Sequence, residues 1–281
     1  MKVLITGGRG MVGRAVADYC TAIGDDVISY GHDGLDIADF DSVMSGVERD
    51  RPEVIINCAA WTDVDGCESD HGRADAANAQ GPENLASAAK LHNARFITIS
   101  TDYVFDGSKA GFYTQDDRPN PQSVYAASKL EGERRAQLAN NQTIVVRTGY
   151  VFGPGGRNFL STVIERARAG EILYVINDSF GTPTYSRDLA IRLRELAELN
   201  HPGIYHVVNT SDGVSFEQFA REALKIAGIN EVKLKTVSMD SMNRPAPRPR
   251  NSRLRCLLSE QLALSPMPDW RSSLREFVQQ K

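Results

Sequence analysis

The chain has 281 residues, of which 41% are hydrophobic and 24% charged, and its formal net charge at pH 7 is −4. That length supports one large α/β unit or two lobes sharing a cleft, and the apolar content excludes a disordered chain. The acidic balance argues against a nucleic-acid binder, whose affinity depends on many phosphate-neutralising Lys and Arg side chains. A few local arginines can still serve an anionic small molecule.

The apolar start Val3-Leu4-Ile5 gives way to glycine at Gly7, too early for a signal-peptide core or a membrane span, so no membrane association is expected. Short β-branched runs then alternate with helical patterns, as in a parallel βαβ sheet. The pattern predicts strands over residues 2–6, 26–30, 53–57, 95–100 and 143–147. It predicts helices over 11–22, 39–49, 74–92 (with a break near Gly81-Pro82) and 124–140.

The signal changes after Gly153. The turn Gly153-Pro154-Gly155-Gly156 leads to a helix, a strand at 172–175 and a helix over 186–199. A strand near 204–208, a helix at 216–227 and an extended run at 232–237 follow. Pro245, Pro247 and Pro249 remove donors and fix φ, so residues 244–250 cannot be helical. This segment reads either as a surface linker or as a stiffened loop carrying arginines over a cleft.

Cys20, Cys58, Cys67 and Cys256 form no C-x-x-C pair and show no metal-ligand spacing, and the histidines are scattered. Reduced thiols in the cytoplasm are the expectation, and no metal site is assigned. Asp65, Glu68 and Asp70 read as solvated surface charge.

Thr6-Gly7-Gly8-Arg9-Gly10-Met11-Val12-Gly13 sits where the first strand ends and a helix begins. Its glycines fall at three-residue intervals, one residue away from the G-x-G-x-x-G dinucleotide fingerprint in the first spacing. Glycines mark ordinary turns too. In a strand-turn-helix context they also allow a tight turn and close approach of a pyrophosphate to the helix N-terminus. An acidic residue closing the second strand would favour NAD, but Asp33 and Asp36 come slightly late. Arg9 is either a solvated loop residue or a guanidinium that forks onto a 2′-phosphate. The expected cofactor is NADPH, with NADH also accommodated.

Tyr125-Ala126-Ala127-Ser128-Lys129 puts Tyr and Lys one turn apart on a helical face. An unperturbed Tyr titrates at about 10, and a nearby ammonium is expected to lower that value toward the range useful for proton transfer. Thr101, closing the fourth large strand, is placed to donate a second hydrogen bond to the same carbonyl oxygen, since ligands gather at the carboxyl ends of such strands.

Together these residues resemble the extended short-chain dehydrogenases, and within them the dTDP-4-dehydrorhamnose reductases. The resemblance runs in order from Thr6 to about Leu254. It is carried by the glycine turn, by Asn57-Cys58-Ala59-Ala60-Trp61-Thr62-Asp63 and by Ser100-Thr101-Asp102-Tyr103-Val104-Phe105-Asp106-Gly107. Tyr125 to Glu133, Arg147-Thr148-Gly149-Tyr150, Asn158-Phe159, Gly181-Thr182-Pro183-Thr184 and Arg248-Pro249-Arg250-Asn251-Ser252 complete it.

The resemblance implies a Rossmann-type doubly wound parallel sheet with a smaller C-terminal substrate-binding lobe. Residues 1–152 would form the NAD(P)-binding domain, receiving 183–210 as well, and 153–281 mainly the substrate lobe. The implied reaction is reduction of the C4 ketone of a dTDP-linked 4-keto-6-deoxy sugar by a monomer or homodimer. Thr101, Tyr125 and Lys129 match the catalytic trio, Lys129 also holding the nicotinamide ribose.

The implied cofactor contacts are Gly7, Arg9, Gly10, Met11 and Val12 around the phosphates, Asp36 and Ile37 beside adenine, Ala59, Ala60 and Trp61 along its length, and Tyr125 and Lys129. Thr101, Asp102, Tyr103, Tyr150, Asn158 and Arg248 are the substrate-side candidates, the arginine-rich segment fitting a diphosphate. Tyr150 stands where the reductases commonly carry Trp. Sugar-nucleotide 4,6-dehydratases carry Asp-Glu after the corresponding Thr, whereas here Asp102 precedes Tyr103. Two alternatives are a reductase of another nucleotide-linked 4-keto sugar and a non-catalytic NADP-binding subunit resembling the methionine adenosyltransferase β subunit.

Overall fold

In the computed structural model, which describes residues 1–279, the β-branched runs form β1 (Lys2–Thr6), β2 (Asp26–Tyr30), β3 (Val54–Asn57), β4 (Arg95–Thr101) and β5 (Ile144–Thr148). All pair in parallel. Helices cover both faces, so β3 and β5 are buried along their whole length, and each opens on a continuous apolar run, residues 54–56 and 144–146, rather than an alternating one. Between the strands lie α1 (Met11–Ala22), α2 (Phe40–Asp50), α3 (Val64–Cys67), α4 (His71–Asp75), α5 (Gly81–Leu91) and α6 (Val124–Ala139). The break expected near Gly81-Pro82 is instead a π-helical turn, Ala76–Gln80, joining α4 to α5. Pro82, in the first turn of α5, has no N–H to donate back to the π-helical turn before it.

The remaining elements are β6 (Val151–Phe152), α7 (Phe159–Arg168), β7 (Leu173–Ile176), β8 (Phe180–Gly181), β9 (Thr184–Tyr185), α8 (Ser186–Leu199), β10 (Gly203–His206), β11 (Val214–Ser215), α9 (Phe216–Ile226), β12 (Leu234–Val237), α10 (Leu257–Gln261) and α11 (Trp270–Gln279). One of these strands returns to the first half: β10 pairs in parallel with β5, and the six-stranded sheet runs β10-β5-β4-β3-β1-β2. Leu189, Leu193 and Leu196 of α8 share one buried cluster with Val16 and Cys20 of α1 and with the sheet. A second core, built from Phe152, Leu160, Tyr185, Phe219, Trp270 and Phe277, lies among α7, α9 and α11.

The strand order reverses between β1 and β3, because the chain leaves β1 outward to β2 and returns on the other side. In such sheets ligands bind outside the carboxyl ends of the strands at this crossover. Thr6, Asn57 and Thr101 close three of those strands, and the site is built above them.

Candidate active site

Gly7 follows β1 with φ 67°, and a Cβ there would lie 2.6 Å from the Ala59 amide nitrogen. Only glycine combines that backbone with that approach. Gly10 precedes α1 without any side-chain cap, so the first N–H groups of the helix are left for a ligand.

Two cavities, of about 560 and about 500 Å³, share Gly10, Cys58, Ala59 and Ala60 in their walls. The first is lined by Gly7, His32, Asp36, Ile37, Trp61 and Arg73. The second holds Met11 and Val12 together with Thr101, Asp102, Tyr103, Tyr125, Lys129 and Tyr150. Two chambers joined at a glycine-rich turn fit an elongated dinucleotide with its pyrophosphate at the α1 N-terminus.

The first chamber has a rigid wall. Asp36 Oδ1 accepts from the Ala38 N–H at 3.0 Å. The Trp61 backbone is held by Asn78, which accepts from its N–H at 2.9 Å and donates to its carbonyl at 3.0 Å. The Arg73 guanidinium stands 4.4 Å from the indole centroid. Arg9 lies outside both linings: its Nη1 is 2.5 Å from Asp33 Oδ2, and both side chains are exposed.

In the second chamber, Ser123 caps α6 by accepting from the Ala126 N–H at 3.2 Å, which sets Tyr125 in the first turn. Burial pushes the Tyr125 phenol well up, with the Thr101 hydroxyl beside it the main opposing influence. The lowering by Lys129 expected from the i, i+4 spacing is absent. The Lys129 ammonium donates to the Ile99 carbonyl at 2.7 Å instead, and desolvation dominates the phenol. Burial also brings Lys129 down to about 8, opposed by the Glu133 carboxylate.

The Thr101 hydroxyl accepts from the Tyr103 N–H and donates to Asp102 Oδ1, each at 3.2 Å. Asp102 is pushed up to about 7 by burial, against hydrogen bonds from Ser252 and Thr101. Its Oδ2 is buried without a hydrogen-bond partner among the described residues. Tyr103 meets Tyr125 edge-on at 6.2 Å between centroids.

Tyr150 stacks on Phe216 at 4.3 Å, and a Cβ on Gly181 would strike its ring. Two candidates stand apart from the lining. Asn158 caps α7 and donates to the carbonyls of Gly153 at 2.9 Å and Gly156 at 3.3 Å, fastening that loop beside Met11. Arg248 forms a two-pronged pair with Asp65 at 2.6 and 2.8 Å, which holds the Asp65 carboxyl at about 2.

That pair fastens the proline-rich segment to α3. Asp65 is therefore not simply solvated, nor are its neighbours: Glu68 accepts from the Val124 N–H at 2.8 Å, and Asp70 caps α4. Sequence reasoning missed Asn78, Arg73 and His32 in the first chamber and Arg157 and Phe216 in the second. None of them lies in a recognisable spacing.

The chain matches the family model described as the RmlD substrate binding domain over residues 1–281. It is 36% identical to a dTDP-4-dehydrorhamnose reductase of Streptomyces griseus over 97% of this chain and 91% of that one. The chain belongs to the dTDP-4-dehydrorhamnose reductase family.

A further relative, from Streptomyces antibioticus, is a probable dTDP-4,6-dihydroxy-2-methyloxan-3-one 4-ketoreductase, 34% identical over 98% of this chain and 94% of that one. Among solved structures, the Bacillus anthracis dTDP-4-dehydrorhamnose reductase in complex with NADP superposes with a TM-score of 0.96. It is 33% identical and covers 100% of both chains. This member of the reductase family thus has the Rossmann-type α/β fold expected from its sequence. No helix among its described residues is long and apolar enough to cross a membrane.

Proposed function

We propose that this protein reduces the C4 ketone of dTDP-4-dehydro-6-deoxy-L-hexulose to give dTDP-L-rhamnose, with NADPH as reductant. The observation that carries the reading is the meeting of Thr101, Tyr125 and Lys129 in one chamber that adjoins the glycine turn. NADPH, when bound, supplies the hydride. Gly7, Gly10, Met11 and Val12 would hold its phosphates, Asp36 and Ile37 its adenosine end, and Ala59, Ala60 and Trp61 its length.

Tyr125 is the proton donor. Burial keeps its phenol protonated, the form that reduction consumes as the carbonyl oxygen becomes a hydroxyl. The Thr101 hydroxyl, which donates to Asp102 Oδ1, would turn to donate to the same carbonyl oxygen and polarise it. Lys129 contributes its positive charge as the phenol gives up its proton, and orients the nicotinamide ribose. Asp102, Tyr103 and Tyr150 would line the sugar. We assign Asn158 and Arg248 to the substrate side through the loops they fasten, and Arg9 to the 2′-phosphate.

Residues 1–152 with 183–210 would serve the cofactor, a division supported by the pairing of β10 with β5 and by α8 packing on α1. The remaining part of 153–281 would close on the sugar nucleotide. Every proposed site residue comes from one chain, so a monomer or a homodimer serves equally. Its cysteines are free, in keeping with a cytoplasmic enzyme.

A second reading, reduction of another nucleotide-linked 4-keto sugar, is favoured by the Streptomyces antibioticus relative and by Tyr150 in place of the usual Trp. The test mixes the protein with NADPH and dTDP-6-deoxy-L-lyxo-4-hexulose and follows cofactor absorbance and product. Rapid oxidation with dTDP-L-rhamnose formed supports the first reading. Oxidation only with a different keto sugar supports the second. NADPH binding with no oxidation of any such substrate would point to a non-catalytic subunit.

A further inference from the structure

Tyr125, Lys129 and Glu133 follow one another at four-residue steps and so share one face of α6. The mechanism uses the first two. Glu133 is only 3% exposed, as buried as Lys129 at 4% and Arg147 at 3%. Charges this deep persist only when paired and hydrogen-bonded.

The Glu133 carboxylate is held from two strands. Arg147 of β5 grips it with Nε at 2.9 Å from Oε1 and Nη2 at 2.6 Å from Oε2. The Ser100 hydroxyl of β4 donates to Oε1. Ile99, the residue before Ser100, receives the Lys129 ammonium on its carbonyl. Two consecutive residues of β4 are thus tied to two consecutive turns of α6, and the next residue is Thr101.

We propose that Glu133 is a positioning residue for the Tyr125–Lys129 pair: clamped by Ser100 and Arg147, its carboxylate keeps the Lys129 ammonium charged and fixes the Thr101 end of β4 against α6.

Of the other groups around the cluster, Asp102 beside Thr101 is pushed up to about 7 by burial, and the rest are neutral. Cys58, at the end of β3, is pushed up to about 12 by burial and remains an uncharged thiol. Tyr125 on α6 is a neutral phenol. On β10, His206 is brought down to about 3 by burial, so it is neutral. Its Nδ1 faces the carbonyls of Tyr113 at 3.2 Å and Arg255 at 3.0 Å, and Nε2 faces Arg147 Nη1 at 3.5 Å. Near neutral pH these bonded groups are therefore two cations, Lys129 and Arg147, and one anion, Glu133, which Arg147 clamps one helical turn along α6 from Lys129. Without that anion the two cations share a dry site, and the lysine is the one that can release its proton.

The proposal rests on the reductase reading, so its test uses a signal that does not depend on turnover. In protein carrying lysine labelled with carbon-13 at Cε, the Lys129 resonance is assigned by its loss in Lys129→Met and titrated by NMR. In Glu133→Gln, which preserves shape, the Lys129 midpoint is expected to fall by about one pH unit or more. The alkaline limb of the kcat profile should move down with it, and a one-unit fall should lower kcat at pH 7 about twofold.

Arg147→Met, which leaves the carboxylate, should keep the midpoint where it is or raise it. If Glu133→Gln does not fold, the pair Glu133→Gln/Arg147→Met removes both charges, and its midpoint should lie below that of Arg147→Met by the same margin. A Lys129 midpoint in Glu133→Gln equal to the wild type's, or in the double variant equal to that of Arg147→Met, overturns the proposal. Absence of turnover in the wild type instead overturns the reductase reading.

Discussion

The Lys129 Nζ lies 2.7 Å from the carbonyl oxygen of Ile99, two residues before Thr101. The contact joins the helix that carries the proposed proton donor to the strand that carries its partner. It also places an ammonium where water is excluded, and the pH behaviour follows from that.

Lys129 titrates at about 8 in the folded chain, well below the ordinary lysine value, chiefly because of burial. The ammonium is present below that pH and lost as pH rises through it. Turnover is expected to fall above about pH 8 with a single-proton slope. Stability responds in the opposite sense. The unfolded chain binds the extra proton between about 8 and 10.4, so this group's contribution rises with pH across that window. A kcat profile flat to pH 10 would count against the assignment.

Tyr125→Phe removes the hydroxyl and leaves the ring in its buried place. Cofactor affinity, read by fluorescence titration, should stay within about threefold, while kcat falls by about 10² or more. Turnover like that of the wild type would remove Tyr125 from the mechanism.

Arg9 and Asp33 form an exposed pair at the edge of the glycine turn. Such a pair adds little stability, so either side chain can be exchanged safely. Arg9→Ala is expected to raise KM for NADPH about tenfold and leave KM for NADH nearly unchanged. Asp33→Asn frees the guanidinium and should shift preference further toward NADPH. Equal losses for both cofactors in Arg9→Ala would show that the arginine does not read the 2′-phosphate.

Gly181 packs against the Tyr150 ring, leaving no room for a methyl group. Gly181→Ala must therefore push that ring off Phe216, at a cost of about 1–3 kcal/mol. Urea melts should show the destabilisation, and KM for the sugar nucleotide should rise more than kcat falls. An unchanged KM in folded protein would mean that Tyr150 does not touch the sugar.

Much of this arrangement is legible in the sequence because its signals are local. The first two strands and α1 begin and end where the β-branched runs and the glycine turn say they should. The gathering of Thr101, Tyr125 and Lys129 follows from strand order and helical spacing. What spacing cannot convey is direction. It sets Lys129 beside Tyr125 but does not say that Nζ turns to the Ile99 carbonyl.

Pairings across distant segments are equally silent. Nothing near Asp65 announces Arg248, which arrives from the far end of the chain. Two-residue strands such as β6 and β9 are too short to carry any alternation. The α11 helix, by contrast, has a readable stripe of Trp270, Leu274 and Phe277, outside the run of motifs that guided the sequence reading.

The placement of β10 beside β5 has a consequence for how the chain comes off the ribosome. The strand that covers the Ile144–Thr148 edge is synthesised roughly 50 residues later, which at cellular elongation rates takes about 3–10 s. For that interval the unpaired backbone edge of β5 stands open to any other nascent strand. The sooner α8 and β10 are complete, the shorter the time in which neighbouring nascent copies could pair along that edge.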